Sequence, residues 1–192
     1  EVKMRDLIKL GIVAIMLPWA APVAAGTLAG DAAAIDHREY PSNTELWRPS
    51  ADRDDPSAQY NLGVVYAGGD GVRQDDAEAL KWFRKSAEQG YAPAQYSLGH
   101  MYLEGAGVSQ DLARATAYFG KAAEQGYLKA QYELAILLFQ GQGVTEDYIA
   151  AYKWLEIVAS KGNTLASEKR EVVAMKMTPV EIAIARKQAK DW

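Results

Sequence analysis

The sequence predicts an all-α solenoid of stacked antiparallel helix pairs, and three observations predict it. Ala58-Gln59-Tyr60 recurs as Ala94-Gln95-Tyr96 and Ala130-Gln131-Tyr132, each 36 residues after the last. Residues 55–90 and 91–126 share 19 identities in 36 positions, where unrelated windows would share about two at ordinary residue frequencies. Within each unit the apolar residues fall at helical spacing, and glycines close both helical stretches. A period of this length is the signature of a helical repeat array, whose single units cannot bury their apolar faces alone.

Taken in order, the chain opens with a basic stretch, Lys3, Arg5 and Lys9, an apolar run from Leu10 to Leu17, and small residues from Ala20 to Gly26. This is the order of a secretory signal peptide. Residues 1–25 are expected to be removed by a cut after Ala25, with Met4 as the true start, giving a periplasmic or secreted chain. An uncut inner-membrane anchor is the alternative, although Pro18 interrupts the run well short of the roughly 20 residues that span a bilayer. Residues 26–54 read as a linker and a degenerate N-terminal half-repeat, with a short helix over Asp31–His37, a turn at Pro41 and a worn second helix over 43–53.

Repeat one spans 55–90, repeat two 91–126 and repeat three 127–162. In each first helix Ala58, Leu62, Gly63 and Tyr66 or their equivalents share one side, and a glycine-rich turn such as Gly68-Gly69-Asp70-Gly71 ends it. Asp75 is the expected N-cap of the second helix, with Glu78 completing a capping box. Ala79, Trp82, Phe83 and Ala87 form that helix's apolar stripe, and Gly90 is its C-cap glycine. Residues 163–192 are expected to cap the array: 164–176 replaces a fourth first helix, and Thr178-Pro179-Val180-Glu181 launches a last helix whose Ile182, Ala185, Ala189 and Trp192 close the open face.

Ala-Gln-Tyr-x-Leu-Gly-x-x-Tyr, Gly-x-Gly-Val, Asp-x-x-x-Ala and Ala-Glu-Gln-Gly together resemble the Sel-one-like repeat family, relatives of the tetratricopeptide repeat. The resemblance covers residues 55–162 closely and the flanks loosely; the third unit departs from it at Ala135 and Leu138. It implies a right-handed superhelical solenoid, with about three full repeats between N- and C-terminal capping helices, and a role as scaffold or adaptor. Exported bacterial members are often tied to envelope functions or host contact. By analogy with tetratricopeptide arrays, the first helices line a concave groove. Its expected lining is Tyr60, Val64 and Ala67, then Tyr96, His100, Leu103 and Glu104, then Tyr132, Ile136, Phe139 and Gln140. Such a surface suits an extended or helical peptide held by apolar anchors. The competing explanation for the tyrosines is half-buried packing between units.

Other chemistries find little support. Of the 192 residues 49% are hydrophobic and 24% charged, and the net charge of -4 carries no basic footprint for nucleic acid. Without cysteine there are no disulfides, thiolate metal sites or thiol nucleophiles. The glycine turns lack a phosphate-binding lysine, Asp54-Asp55 and Asp75-Asp76 are paired by sequence alone, and the two histidines, His37 and His100, fall short of a zinc set. The chain is therefore read as a monomeric, non-enzymatic binder of a protein or peptide, needing no cofactor or metal. A cell-envelope hydrolase acting on wall fragments or β-lactams and a membrane-anchored envelope assembly factor stand as alternatives.

Overall fold

A computed structural model describes residues 43–192, and in them the chain forms helices joined by turns. The expectations for the signal peptide, the linker, the Asp31–His37 helix, the Pro41 turn and His37 lie outside the described residues. The order is α1 (Asn43–Ala51), α2 (Pro56–Gly68), α3 (Asp76–Glu88), α4 (Ala92–Glu104), α5 (Leu112–Glu124), α6 (Leu128–Gln140), α7 (Tyr148–Ser160), α8 (Thr164–Ala174) and α9 (Pro179–Asp191). Successive helices pack antiparallel as far as α8, as a right-handed solenoid requires; α9 then folds back across α7. Among the described residues no helix is long and apolar enough to cross a membrane.

Glycine fixes where the first helices stop. Gly69, Gly105 and Gly141 take left-handed φ of 71°, 77° and 65°, a region open to glycine at little cost. Gly107, two residues beyond its cap, lies so close to the preceding layer that a Cβ there would stand 2.5 Å from the Asp76 carbonyl oxygen. The repeated Gly-x-Gly-Val turn is thus a seam between layers.

Second helices begin on aspartate. Asp75, Asp111 and Asp147 accept backbone N–H bonds from Glu78, Arg114 and Ala150 at 2.9, 3.0 and 2.8 Å, each satisfying one orphan donor of the first turn. The expected reciprocal half of the box at Glu78 does not form. Asp75 donates its own N–H to the Tyr66 carbonyl at 2.9 Å, which leaves Glu78 to pair with Lys81 at 2.7 Å. At Thr178 both halves of the box are present.

Leu62, Leu98, Ala79, Ala115, Ala151 and Phe119 are fully buried between the helices. A side chain of this size contributes about 1.5–3 kcal/mol on burial, and the alanines let the backbones approach closely enough to exclude water. Gly63 and Gly99 lie under the rings of Phe83 and Phe119, where an added Cβ would come within 2.5 Å of a ring carbon in both cases. In the third layer Ala135 occupies the glycine position and Leu155 the phenylalanine position, both fully buried. The departure at Ala135 is therefore a compensated exchange, a methyl gained on one helix and a ring lost from the other.

Glutamines stitch the layers together. Gln59, Gln95 and Gln131 are buried and donate through Nε2 to the carbonyls of Ala51, Ala87 and Ala123 at 3.2, 3.3 and 3.1 Å. Gln59 and Gln95 also accept, through Oε1, from Gln89 and Gln125 at 2.8 and 2.7 Å. Lys161 follows in that series, and among the described residues Gln131 Oε1 is left buried without a donor. At the C-terminal end Ala185 is buried, Ile182 and Ala189 are packed against the core, and Trp192 stands edge-on to Trp154 at 5.6 Å. These contacts close the last layer as expected.

Candidate interaction face

The first helices present one side to solvent, and its register follows from what the other side buries. Leu62, Leu98 and Leu134 point inward, so the residues two positions on, Val64, His100 and Ile136, point outward. Val64 is 45% exposed, and Ile136 is only half-buried and stands outside the packed core. Glu104 and Gln140 are exposed one turn further along the same side.

The remaining residues expected to line this face are placed differently. Tyr60 packs on Phe83 and Tyr91 at ring separations of 5.7 and 5.5 Å, and Tyr96 on Phe119 and Tyr127 at 5.7 and 5.2 Å. With Tyr132 they are half-buried between layers, and burial raises the phenol pKa of all three. Ala67, Leu103 and Phe139 also lean on the core, with Phe139 at 5.8 Å from the Tyr148 ring. These residues wall the face, while Val64, His100 and Ile136 form its floor.

Counting by 36 from the floor reaches further than the three complete units. Val172 on α8 follows Ile136 and Met175, just past the end of α8, follows Phe139, and they are 44% and 81% exposed. The column beside the floor runs Asn61, Ser97, Glu133, Lys169, all half-buried. Sequence reasoning missed Glu133, Val172 and Met175, although the same subtraction that revealed the repeat would have found them.

Polar groups concentrate at the middle step. His100 stacks edge-on to Tyr96 at 4.7 Å and to Phe119 at 5.2 Å, and its Nδ1 lies 3.8 Å from a Glu104 carboxylate oxygen. Its Nε2 is buried and has no hydrogen-bond partner among the described residues. Burial lowers the His100 pKa, against the opposing pull of Glu104. Burial, then the Glu104 charge, lifts the Glu133 carboxyl to about 7. Tyr96 feels burial first and then Glu133. Among the described residues no group of three or more histidines, cysteines or carboxylates stands placed to hold a metal ion.

Comparison with known proteins places this geometry among relatives. A family model described as Sel1 repeat matches residues 56–91, 92–127 and 128–163. A crystal structure of a Sel1 repeat protein from Oxalobacter formigenes superposes with a TM-score of 0.62 at 38% identity, covering 67% of this chain and 98% of that one. A protective antigen present in uropathogenic Escherichia coli strains, displaying an SLR fold, gives 0.69 at 34% identity over 76% of this chain, which spans 31% of the antigen. Cysteine rich protein B of Helicobacter pylori, at 18% identity and 0.52, shares the fold. Among curated proteins, an ERAD-associated E3 ubiquitin-protein ligase component of Arabidopsis thaliana is 44% identical over 41 residues, which is 21% of this chain and 7% of that protein.

Proposed function

Because the chain belongs to the Sel1 repeat family, we propose that it is an exported interaction scaffold that holds a peptide segment of a partner protein in the groove formed by α2, α4, α6 and α8. Sel1 repeats are generally protein–protein interaction scaffolds, and function within such a fold is set by the exposed face. The observation that carries the reading is the floor column Val64, His100, Ile136, Val172. These residues change from layer to layer and stand in solvent or half in it; Val64, Ile136 and Val172 lie outside the packed core, and His100 lies half-buried against Phe119. Apolar side chains spaced along a row of helices suit a segment that places anchors at regular intervals.

The groove assignment is tested by capture from extract of the producing cell, using the wild-type chain and the Val64→Asp/Ile136→Asp double variant. Both sites lie outside the packed core, so helical circular dichroism should be unchanged while retained partners fall to background. Undiminished capture by the double variant would remove the groove from the reading. Export is supported by the order of charge, apolar run and small residues over 1–26. Mass spectrometry of the protein from its host should find an N-terminus at Gly26; one at Met4 would favour the anchored alternative.

A further inference from the structure

His100 on α4 is the one residue of the floor column that can take up a proton, since Val64, Ile136 and Val172 hold its place in the other layers. Glu104, one turn on, is likewise peculiar to this layer: Gly68, Gln140 and Lys176 stand at the equivalent positions. The imidazole occupies a slot walled by rings, edge-on to Tyr96 on its own helix at 4.7 Å and to Phe119 on α5 at 5.2 Å. Its two nitrogens are unlike. Nε2 is buried and has no hydrogen-bond partner among the described residues, whereas Nδ1 lies 3.8 Å from a carboxylate oxygen of Glu104, whose side chain is exposed. That separation is too long for a hydrogen bond. A neutral ring suits this slot, because one of its nitrogens carries no hydrogen and can be the buried one. An imidazolium does not suit it: both nitrogens are then donors, and a charged N–H buried without an acceptor is costly. The charge that acts on the ring is that of Glu104, and burial lowers the His100 pKa against it. Phe119 does not titrate, Tyr96 is a phenol raised by burial, and Glu133 on α6 acts on Tyr96 rather than on His100. Among the described residues α3, which also packs on α4, brings no charge to bear on the ring.

We propose that His100 is a proton-operated gate in the groove floor, which holds the partner segment at neutral pH and releases it in mild acid. In its neutral form the ring stays between Tyr96 and Phe119 and continues the apolar floor from Val64 to Ile136. On taking a proton from solvent it turns out of the slot toward the Glu104 carboxylate, closing the 3.8 Å gap to a charge-assisted hydrogen bond. The side chain is already 28% exposed, so the outward route is open. The turn puts a hydrated cation where an apolar anchor of the partner would lie, and a desolvated charge there opposes binding. The folded chain favours the neutral ring, so the closed floor is present above the ordinary histidine pKa and is lost as pH falls through the lowered value. This inference rests on the groove reading above and adds to it the control of the occupant by pH.

Two measurements on the full chain carry the test. The first is a carbon-edited NMR titration between about pH 8 and about pH 4.5, with His37→Gln removing the resonances of the other histidine. The His100 ring protons should lose their contacts to the Phe119 and Tyr96 rings as the proton is taken up. Contacts that persist through the titration would overturn the gate and leave the groove standing. The second uses histidine-free dodecapeptides selected by phage display at about pH 7.5, their affinities read by fluorescence anisotropy. Peptides that lose affinity to Val64→Asp/Ile136→Asp should bind at least about fivefold more weakly at about pH 5 than at about pH 7.5. His100→Phe keeps a ring in the slot and should remove that pH ratio; His100→Leu makes the same comparison if the larger ring disturbs the packing. Glu133→Gln, which deletes the carboxyl that titrates at about 7, should leave the ratio in place. A wild-type affinity that ignores pH, or a ratio that survives both His100 variants, would overturn the gate alone. Peptides indifferent to Val64→Asp/Ile136→Asp, or a library that enriches nothing, would overturn the groove and the gate with it.

Discussion

Arg84 on α3 donates a 2.9 Å hydrogen bond to the hydroxyl of Tyr102 on α4, and the bond is the exact repeat of one from Arg48 to Tyr66 at 2.7 Å in the layer before. One layer on, both partners are gone together: Gly120 stands where the arginine would be and Leu138 where the tyrosine would be. A tyrosine hydroxyl buried without its donor costs more than a leucine that needs none, so the two losses belong to one change. Leu138→Tyr alone should lower stability by about 1–2 kcal/mol. Among the described residues nothing lies within 4 Å of where a Cβ on Gly120 would stand, and adding Gly120→Arg should recover about 1 kcal/mol, read from urea midpoints at constant slope.

The same reasoning applies to the glycine beneath Phe119. Gly99→Ala places a methyl 2.5 Å from the ring, and the displacement should cost about 1–3 kcal/mol. Phe119→Leu should relieve part of that cost, since the third layer already carries the alanine–leucine combination at Ala135 and Leu155. A double-mutant cycle by denaturation should return a favourable coupling; additive losses would show that the third layer solves its packing in another way.

Lys161→Gln should add the side-chain bond that the third seam lacks. Among the described residues Gln131 Oε1 is buried without a donor, whereas Gln59 and Gln95 receive one from Gln89 and Gln125. A gain of about 1 kcal/mol is expected, along with slower amide exchange across α6 and α7. Gln125→Ala should produce the opposite effect by orphaning Gln95.

Glu133 should leave a signature in the pH dependence of stability. Its carboxyl is raised from 4.5 to about 7, by burial first and Glu104 second, so the folded chain holds this proton more tightly than the unfolded chain does. The cost of ionising it is absent below about pH 4.5, grows between 4.5 and 7, and is fully present above. Wild type should therefore lose about 2 kcal/mol relative to Glu133→Gln across that window, less than the unscreened shift implies because the group is partly open to water. Burial lowers the His100 pKa against the opposing pull of Glu104, and the comparison with Glu133→Gln keeps that residue in both proteins.

Much of this architecture was legible from subtraction alone. The period placed the helices, the aspartate caps, the glycine stops and the two capping segments, because each depends on residues close in sequence. The glutamine seam was hidden, since Gln59 and Gln89 meet across 30 residues and neither announces a buried amide ladder. Glu78 misled because a box depends on where the cap's own N–H goes, and that N–H is taken by Tyr66 of the preceding helix. The tyrosines and the floor column could not be separated by spacing, since both lie on the outward half of each helix. Their difference comes from the neighbouring layer, where Tyr91 and Tyr127 cover Tyr60 and Tyr96 and leave Val64 and Ile136 open.

The central claim is that a partner lies along the floor of the first helices. Site-specific photo-crosslinking tests it most directly, with benzoylphenylalanine placed at positions 64, 100 and 136 in turn, and at the exposed second-helix positions of Lys81 and Ala117. The account predicts adducts with the same partner from Val64, His100 and Ile136 and none from Lys81 or Ala117. Adducts from Lys81 or Ala117 with the floor positions silent would contradict it.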